Sequence, residues 1–320
     1  MNISVIGCGR WGSLIAWYLD TLGHRVTLYG RESSPHMREF LSTRSNGLLT
    51  LPDSLSLCCD LTQAVEHAET IILSIPSQGL RGLMKELSAL NLQNRNFVLC
   101  MKGIEINSGK RLSEIAEEST SPTNRVAVWL GPGHVQEFYA GIPNCMVIDS
   151  RHEDLKKELV DAFSGPLIRF YYGQDLIGNE IGGATKNVIG IAAGMLDGMK
   201  LSTLKGALMS RGTHEIARLI EAMGGNPVSA YGLCHLGDYE ATVFSPYSHN
   251  RKFGECVVTG EAYDALAEGY YTVAALKSLE QRYGIELPIC DAVWNVLYDN
   301  KNPREEINAL FQRTLKAEIK

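Results

Sequence analysis

A lysine set in the middle of a glycine stripe is the first side chain here with chemistry to offer. In residues 178–195, GNEIGGATKNVIGIAAGM, Gly178, Gly182, Lys186, Gly190 and Gly194 recur at i+4, so one helical face is bare backbone around a single ammonium. Glycine costs about 1 kcal/mol against alanine inside a helix, so this stripe, with Gly183 beside it, requires the close approach of another element. A lysine buried in such a contact shifts its pKa and acts as an acid or base, whereas a structural lysine snorkels to water.

The second chemical feature is a phosphate cradle. A short apolar strand at 3–6 runs into Gly7-Cys8-Gly9-Arg10-Trp11-Gly12 and then into a helical pattern at 13–22. Gly7 permits the tight turn, Gly9 lets a pyrophosphate approach the backbone, and Gly12 lets the helix pack on the strand, with the anion at the helix N-terminus. At the tip of the next strand, 25–29, the chain reads Tyr29-Gly30-Arg31-Glu32-Ser33-Ser34. The acid that normally meets a ribose is absent from that tip. Arg31 with Ser33 and Ser34 suits a 2′-phosphate, so NAD(P) is the expected cofactor with a lean to NADPH, although Glu32 can still turn toward a ribose.

Ligands of open α/β sheets gather beyond the carboxyl ends of the strands. Three such ends carry useful groups: residues 74–78, Lys102-Gly103, and Gly131-Pro132-Gly133. Lys102, just past an apolar strand, is placed for an anionic ligand. Further on, a glycine-punctuated loop at 231–242 carries Asp238 and Thr242, and a run Ser248-His249-Asn250-Arg251 follows it. Hydroxyl, amide and cationic donors in such a loop suit a small oxyanion, as a second wall opposite Lys186.

These groups need a scaffold. Apolar runs at 55–59, 70–75, 96–101, 126–130, 144–148 and 167–172 add six strands to the first two, separated by helical or turn segments, which predicts an α/β, mostly parallel, doubly wound sheet. After residue 175 the periods become helical, at 179–196, 204–223, 263–283, 290–298 and 303–316. The chain therefore divides into a dinucleotide-binding domain, 1–176, and an all-helical substrate domain, 177–320, with a tight hinge between them and the glycine-striped helix as central strut. The length of 320 residues suits two domains.

Composition narrows the partners. A net charge of −6 gives no sequence-wide cation field for nucleic acid. Eight cysteines without CxxC spacing suggest buried thiols in a reducing compartment, with neither a disulfide framework nor a metal site. No leader is expected ahead of the first strand, and no apolar stretch approaches the ~20 residues of a membrane span. A soluble, cytoplasmic protein is expected.

Taken together, the motifs VIGCGRWGS (5–13), SIPSQGLR (74–81), MKGIE (101–105), GPGHVQE (131–137), DLIGNEIGGATKNVIGIAAGMLDG (175–198), SRGTHEI (210–216), GLCHLGDYEAT (232–242), SHNRKFG (248–254) and AEGYYT (267–272) resemble the NAD(P)-dependent glycerol-3-phosphate dehydrogenase family of the bacterial cytoplasmic type. The resemblance spans essentially the whole chain. It implies a Rossmann-type domain followed by a helical one, and hydride transfer between NAD(P)H and dihydroxyacetone phosphate, giving sn-glycerol 3-phosphate for phospholipid synthesis. It also implies roles: Lys186 as the catalytic lysine with Asn187 beside it, Lys102 as a second active-site lysine, and Asp238 and Thr242 as polar groups of the site. Gly131, Ser248 and Asn250 fall on substrate positions, and Arg10, Trp11, Arg31, Val135 and Glu268 on cofactor positions. A homodimer is the expected assembly.

The sequence departs from the family pattern at several places. His249 stands where the SRN run has an arginine, Gly133 and Val135 replace the serine and alanine of GPSFA, and Cys234-His235 replace Ala-Gly in GLAGLGD. Histidine cannot copy a bidentate phosphate contact. Either Arg251 or another cation substitutes, or the ligand differs. The alternatives are a paralogous reductase of another phosphorylated or carboxylated ketone, like the 6-phosphogluconate and ketopantoate enzymes, and a catalytically silent nucleotide-binding regulator.

Overall fold

The computed structural model describes residues 1–315, 317 and 318. All eight expected strands are present, their ends moved by no more than two residues: β1 Asn2–Ile6, β2 Arg25–Tyr29, β3 Ser56–Cys58, β4 Thr70–Leu73, β5 Asn96–Leu99, β6 Arg125–Leu130, β7 Asn144–Ser150 and β8 Ile168–Tyr172. They form one sheet in the order β3-β2-β1-β4-β5-β6-β7-β8. Thr70–Leu73 and Asn96–Leu99 are buried at every position, as strands covered on both faces must be. The cover comes from α1 Arg10–Thr21, α2 Pro35–Thr43, α3 Leu61–Glu66, α4 Leu80–Ser88, α5 Leu112–Ser119, α6 Val135–Tyr139 and α7 Glu153–Phe163. Leu14, Phe40, Phe138 and Leu159 fill one core, on the face of α1, α2, α6 and α7; Val65, Leu83, Met84 and Ile115 fill the other, under α3, α4 and α5.

The first six strands run parallel, but β7 is antiparallel to β6, and β8 follows β7. Residues 131–143, with α6 among them, join the two strands. The chain re-enters the sheet at the carboxyl edge it has just left.

Helices make up the remainder: α8 Leu176–Gly198, α9 Lys205–Ala222, α10 His249–Thr259, α11 Glu268–Tyr283, α12 Pro288–Tyr298 and α13 Pro303–Phe311. Two sequence expectations are corrected here. The run 248–251 is not loop but the start of α10, with the Ser248 hydroxyl capping the Arg251 N–H at 3.2 Å and Gly260 ending the helix at φ 77°. The period from 263 begins as helix only at Glu268, and that from 303 stops at Phe311, Lys316 lying outside the described residues.

The glycine stripe is a backbone crossing. A Cβ on Gly194 would lie 1.8 Å from the Arg251 carbonyl oxygen, and one on Gly254 2.0 Å from that of Ile191. Only glycine on both helices lets α8 and α10 approach so closely. Gly182 faces His235, and Gly190 faces Thr242 and Asn250. The stripe thus packs on α10 and the polar loop rather than on the sheet domain, and it is the neighbouring Gly183 that faces Leu130 and Lys102.

A buried ion pair fastens α8 to the sheet. Glu180 receives the Arg111 guanidinium at 2.5 Å together with the Ser113 N–H at 2.8 Å and hydroxyl at 2.6 Å, at the start of α5. Among the described residues no helix is long and apolar enough to cross a membrane.

Candidate active site

The chain steps from β1 out to β3 on one side and returns to β4 on the other, so the carboxyl ends of β1 and β4 form the switch point where α/β sheets hold ligands. The glycine turn fills this position. Gly7 has φ 115°, and its absent Cβ would lie 2.1 Å from the Ser74 carbonyl oxygen; that of Gly12 would lie 1.9 Å from the Gly7 carbonyl. Gly9 differs, because a Cβ there would meet nothing within 4 Å. Protein packing therefore does not require glycine at position 9, and the bare backbone faces open space at the uncapped N-terminus of α1. That is the shape a dinucleotide pyrophosphate needs.

At the tip of β2, Arg31, Glu32 and Ser33 are exposed. The Ser34 hydroxyl instead caps α2 at Met37 N–H, 3.5 Å away, and Arg38 binds the Ser33 carbonyl at 3.0 Å, so a second guanidinium joins the tip. Trp11 packs on Phe138 with ring centroids 5.9 Å apart, beside the buried Val135 that opens α6. Glu268, at the start of α11, crosses to the end of β4 and accepts the Ser77 N–H at 2.9 Å and hydroxyl at 2.5 Å. Burial raises its pKa, with the Ser77 hydrogen bonds opposing.

Opposite the glycine turn two lysines converge on one carboxylate. Asp238, 1% exposed, holds Lys102 Nζ at 2.6 Å and Lys186 Nζ at 2.8 Å, both on Oδ2. Lys102 also donates to the Gly131 carbonyl at 2.6 Å, and Lys186 to the Thr242 hydroxyl at 2.7 Å. Thr242 sits in a single π-helical turn, Glu240–Phe244, a conformation found often at functional sites. Burial lowers the Lys186 pKa to about 8; Asp238 opposes the shift and Lys102 adds to it. Two ammoniums against one carboxylate leave the cluster with a net positive charge, suited to an oxyanion.

Asn187 links the walls. Its amide donates to the Lys102 carbonyl at 3.3 Å and accepts from Asn250 at 3.1 Å, while Asn250 accepts the Gly269 N–H at 2.9 Å. Lys186, Lys102, Asp238, Thr242, Asn187, Asn250 and Gly131 are therefore in mutual contact. Arg251 is not among them: its guanidinium is held by Asp197 at 2.6 Å and by the Ser245 carbonyl at 3.1 Å, away from the lysine pair. His249 reaches the nucleotide turn instead. Arg10 donates to its Nε2 at 2.5 Å and Nδ1 gives its proton to the Tyr263 hydroxyl at 2.6 Å, a neutral tautomer consistent with a pKa lowered by burial and by Arg10.

Two departures from the family pattern have internal causes. His235 is fully buried, bonded to the Gly182 carbonyl at 2.9 Å and the Tyr239 hydroxyl at 2.7 Å, so it pins the loop to α8. Gly133 has φ 140°, and its missing Cβ would enter the Phe138 ring at 2.2 Å, leaving no room for a serine.

Sequence models of the NAD-dependent glycerol-3-phosphate dehydrogenase N-terminus and C-terminus match residues 2–156 and 175–308. The chain belongs to this family. It is 36% identical to the glycerol-3-phosphate dehydrogenase [NAD(P)+] of Exiguobacterium sp. (strain ATCC BAA-1283 / AT1b), with 99% of this chain and 97% of the relative covered. The crystal structure of the Coxiella burnetii glycerol-3-phosphate dehydrogenase superposes with a TM-score of 0.91 at 29% identity, covering 98% of this chain and 99% of that one. A ketopantoate reductase of Ralstonia eutropha JMP134 shares the fold, with a TM-score of 0.63 at 12% identity over 96% of this chain and 100% of that one.

Proposed function

We propose that the protein reduces dihydroxyacetone phosphate to sn-glycerol 3-phosphate with NAD(P)H, residues 1–176 holding the cofactor and 177–320 the substrate. The observation that carries this reading is the sharing of Asp238 Oδ2 by Lys102 and Lys186 at the carboxyl edge of the sheet. Bound at the Gly7–Gly12 turn, the dinucleotide supplies the hydride. Lys186 donates the proton that the ketone oxygen needs as hydride reaches its carbon, and in the reverse direction its neutral amine takes the proton back. Asp238 and Thr242 fix the direction of Nζ, and Lys102 adds positive charge where the alkoxide develops. Asn187 keeps both lysine-bearing segments in register. With Arg251 committed to Asp197, Arg10 beside His249 is the guanidinium that serves the phosphate-bearing ligands at the α10 end of the cleft.

Arg31 and Arg38 at the β2 tip favour NADPH over NADH in this reading, and the homodimer and cytoplasmic setting follow from the resemblance. The test is loss of nicotinamide absorbance when NADPH and dihydroxyacetone phosphate are mixed with the protein. Lys186→Ala is expected to lower turnover at least ~100-fold while nucleotide affinity is retained. Near-normal turnover in that variant would overturn the assignment of the proton donor.

A further inference from the structure

We propose that His249 is a positioning residue for the cofactor, a neutral post on α10 that aims the Arg10 guanidinium at the pyrophosphate turn. The proposal deepens the cofactor reading above and rests on it. Arg10 opens α1 directly after Gly9, whose bare backbone faces open space. Among the described residues its guanidinium forms no ion pair, and its one hydrogen-bond partner is His249 Nε2, at 2.5 Å. A guanidinium has only donors, so Nε2 must offer its lone pair and the ring proton must sit on Nδ1. The Tyr263 hydroxyl accepts from Nδ1 at 2.6 Å, which holds the ring in the one tautomer able to receive Arg10.

The post itself is fixed. His249 is the first residue of α10, where Ser248 caps the helix, Asn250 takes the Gly269 N–H at 2.9 Å, and Gly254 and Gly194 let the helix lock onto α8. Phe253, one turn on, packs against the Tyr263 ring with centroids 5.7 Å apart. An arginine loses side-chain freedom when it grips a ligand, and a contact that orders it in advance spares that loss. Neutrality matters as much as rigidity. A carboxylate at this place would aim the guanidinium and cancel its charge, whereas a neutral imidazole aims it and leaves the charge for an anion. Burial and then Arg10 lower the ring's pKa, which favours the neutral form. The helical half of the chain thereby takes part in holding a dinucleotide bound at the sheet.

The experiment measures affinity directly, by titrating NADPH and, in parallel, NADH and following nicotinamide fluorescence with no ketone present. Wild-type protein is compared with Arg10→Ala, His249→Ala and the double variant, and with His249→Gln and His249→Glu. Arg10→Ala and His249→Ala are each expected to raise the dissociation constant about tenfold, and the double variant no further than Arg10→Ala alone, because the imidazole acts only through the guanidinium. His249→Gln, which keeps a neutral acceptor, should recover most of the loss; His249→Glu should lose at least as much as alanine although it binds Arg10 more firmly. Melting temperatures should stay unchanged throughout. Losses that add in the double variant, unaltered affinity in His249→Ala, or recovery by His249→Glu overturns the proposal. Turnover of dihydroxyacetone phosphate does not enter this measurement, so its failure would be seen separately; failure of the wild-type protein to bind either cofactor would overturn the cofactor reading, and this one with it.

Discussion

Burial lowers the proton affinity of Lys186, and Asp238 opposes the shift with its carboxylate 2.8 Å from Nζ while Lys102 presses a second positive charge on the same oxygen. The free-enzyme pKa of about 8 has opposite consequences in the two directions. Ketone reduction needs the ammonium, so its kcat/KM should be level below pH 8 and fall above it. Alcohol oxidation needs the amine and should rise toward pH 8 and then level. Asp238→Asn removes the opposing charge and leaves Lys102 in place, so the inflection should move to lower pH. Full pH profiles in both directions check this, and an Asp238→Asn profile displaced upward would contradict the assigned charge balance. The burial of Lys186 was legible in the sequence, since glycines at i+4 on either side of an ammonium mark a face built for close contact, where a solvent-seeking lysine has no place. Its partners on the loop were legible as types and not as contacts, because spacing along the chain does not state that residues 102, 186 and 238 meet.

At the scale of elements, the α8 and α10 crossing is where local sequence and tertiary structure agree most closely. Gly194→Ala places a methyl 1.8 Å from the Arg251 carbonyl, a backbone atom that cannot rotate aside. Overpacking of this kind costs about 1–3 kcal/mol or more. The variant should unfold at lower urea concentration and lose activity besides, because Asn250 on α10 holds Asn187 in place; unchanged stability would show that the helices can part freely. All eight strands were readable from their apolar runs, whereas the reversal of β7 was not. Strand direction is a property of the pairing between β6 and β7, and an apolar run reads the same whichever way it enters the sheet. Helix α10 was missed for a related reason: Ser248, His249, Asn250 and Arg251 form a polar first turn, which reads as loop until Ser248 is seen capping it.

At the scale of the molecule, the sheet and the helices are joined by charge buried at the start of α5. Arg111 is 4% exposed and Glu180 6%, so Glu180→Ala would leave the guanidinium out of water with Glu114, at 3.4 Å, as its remaining carboxylate. Loss of one partner of a buried pair costs about 3–5 kcal/mol, which chemical denaturation can measure. A change below ~1 kcal/mol would mean that water enters the junction. The division into sheet-first and helix-second halves was plain in the sequence from the change in period after residue 175, but the fastening was not, since Arg111 and Glu180 are 69 residues apart.

The reversed direction of β7 and β8 governs where Lys186 can be. Both strands end at the amino edge of the sheet, so the chain leaves the sheet at the edge opposite the cofactor turn. Helix α8 must climb the full height of the sheet to return, and Lys186 comes ten residues after Leu176, about 15 Å along the axis. The helix therefore works as a ruler. Each residue added or removed ahead of Lys186 would shift Nζ by about 1.5 Å and swing it by about 100°, off Asp238 altogether. Sheet topology thus fixes the permitted length of the helix that carries Lys186.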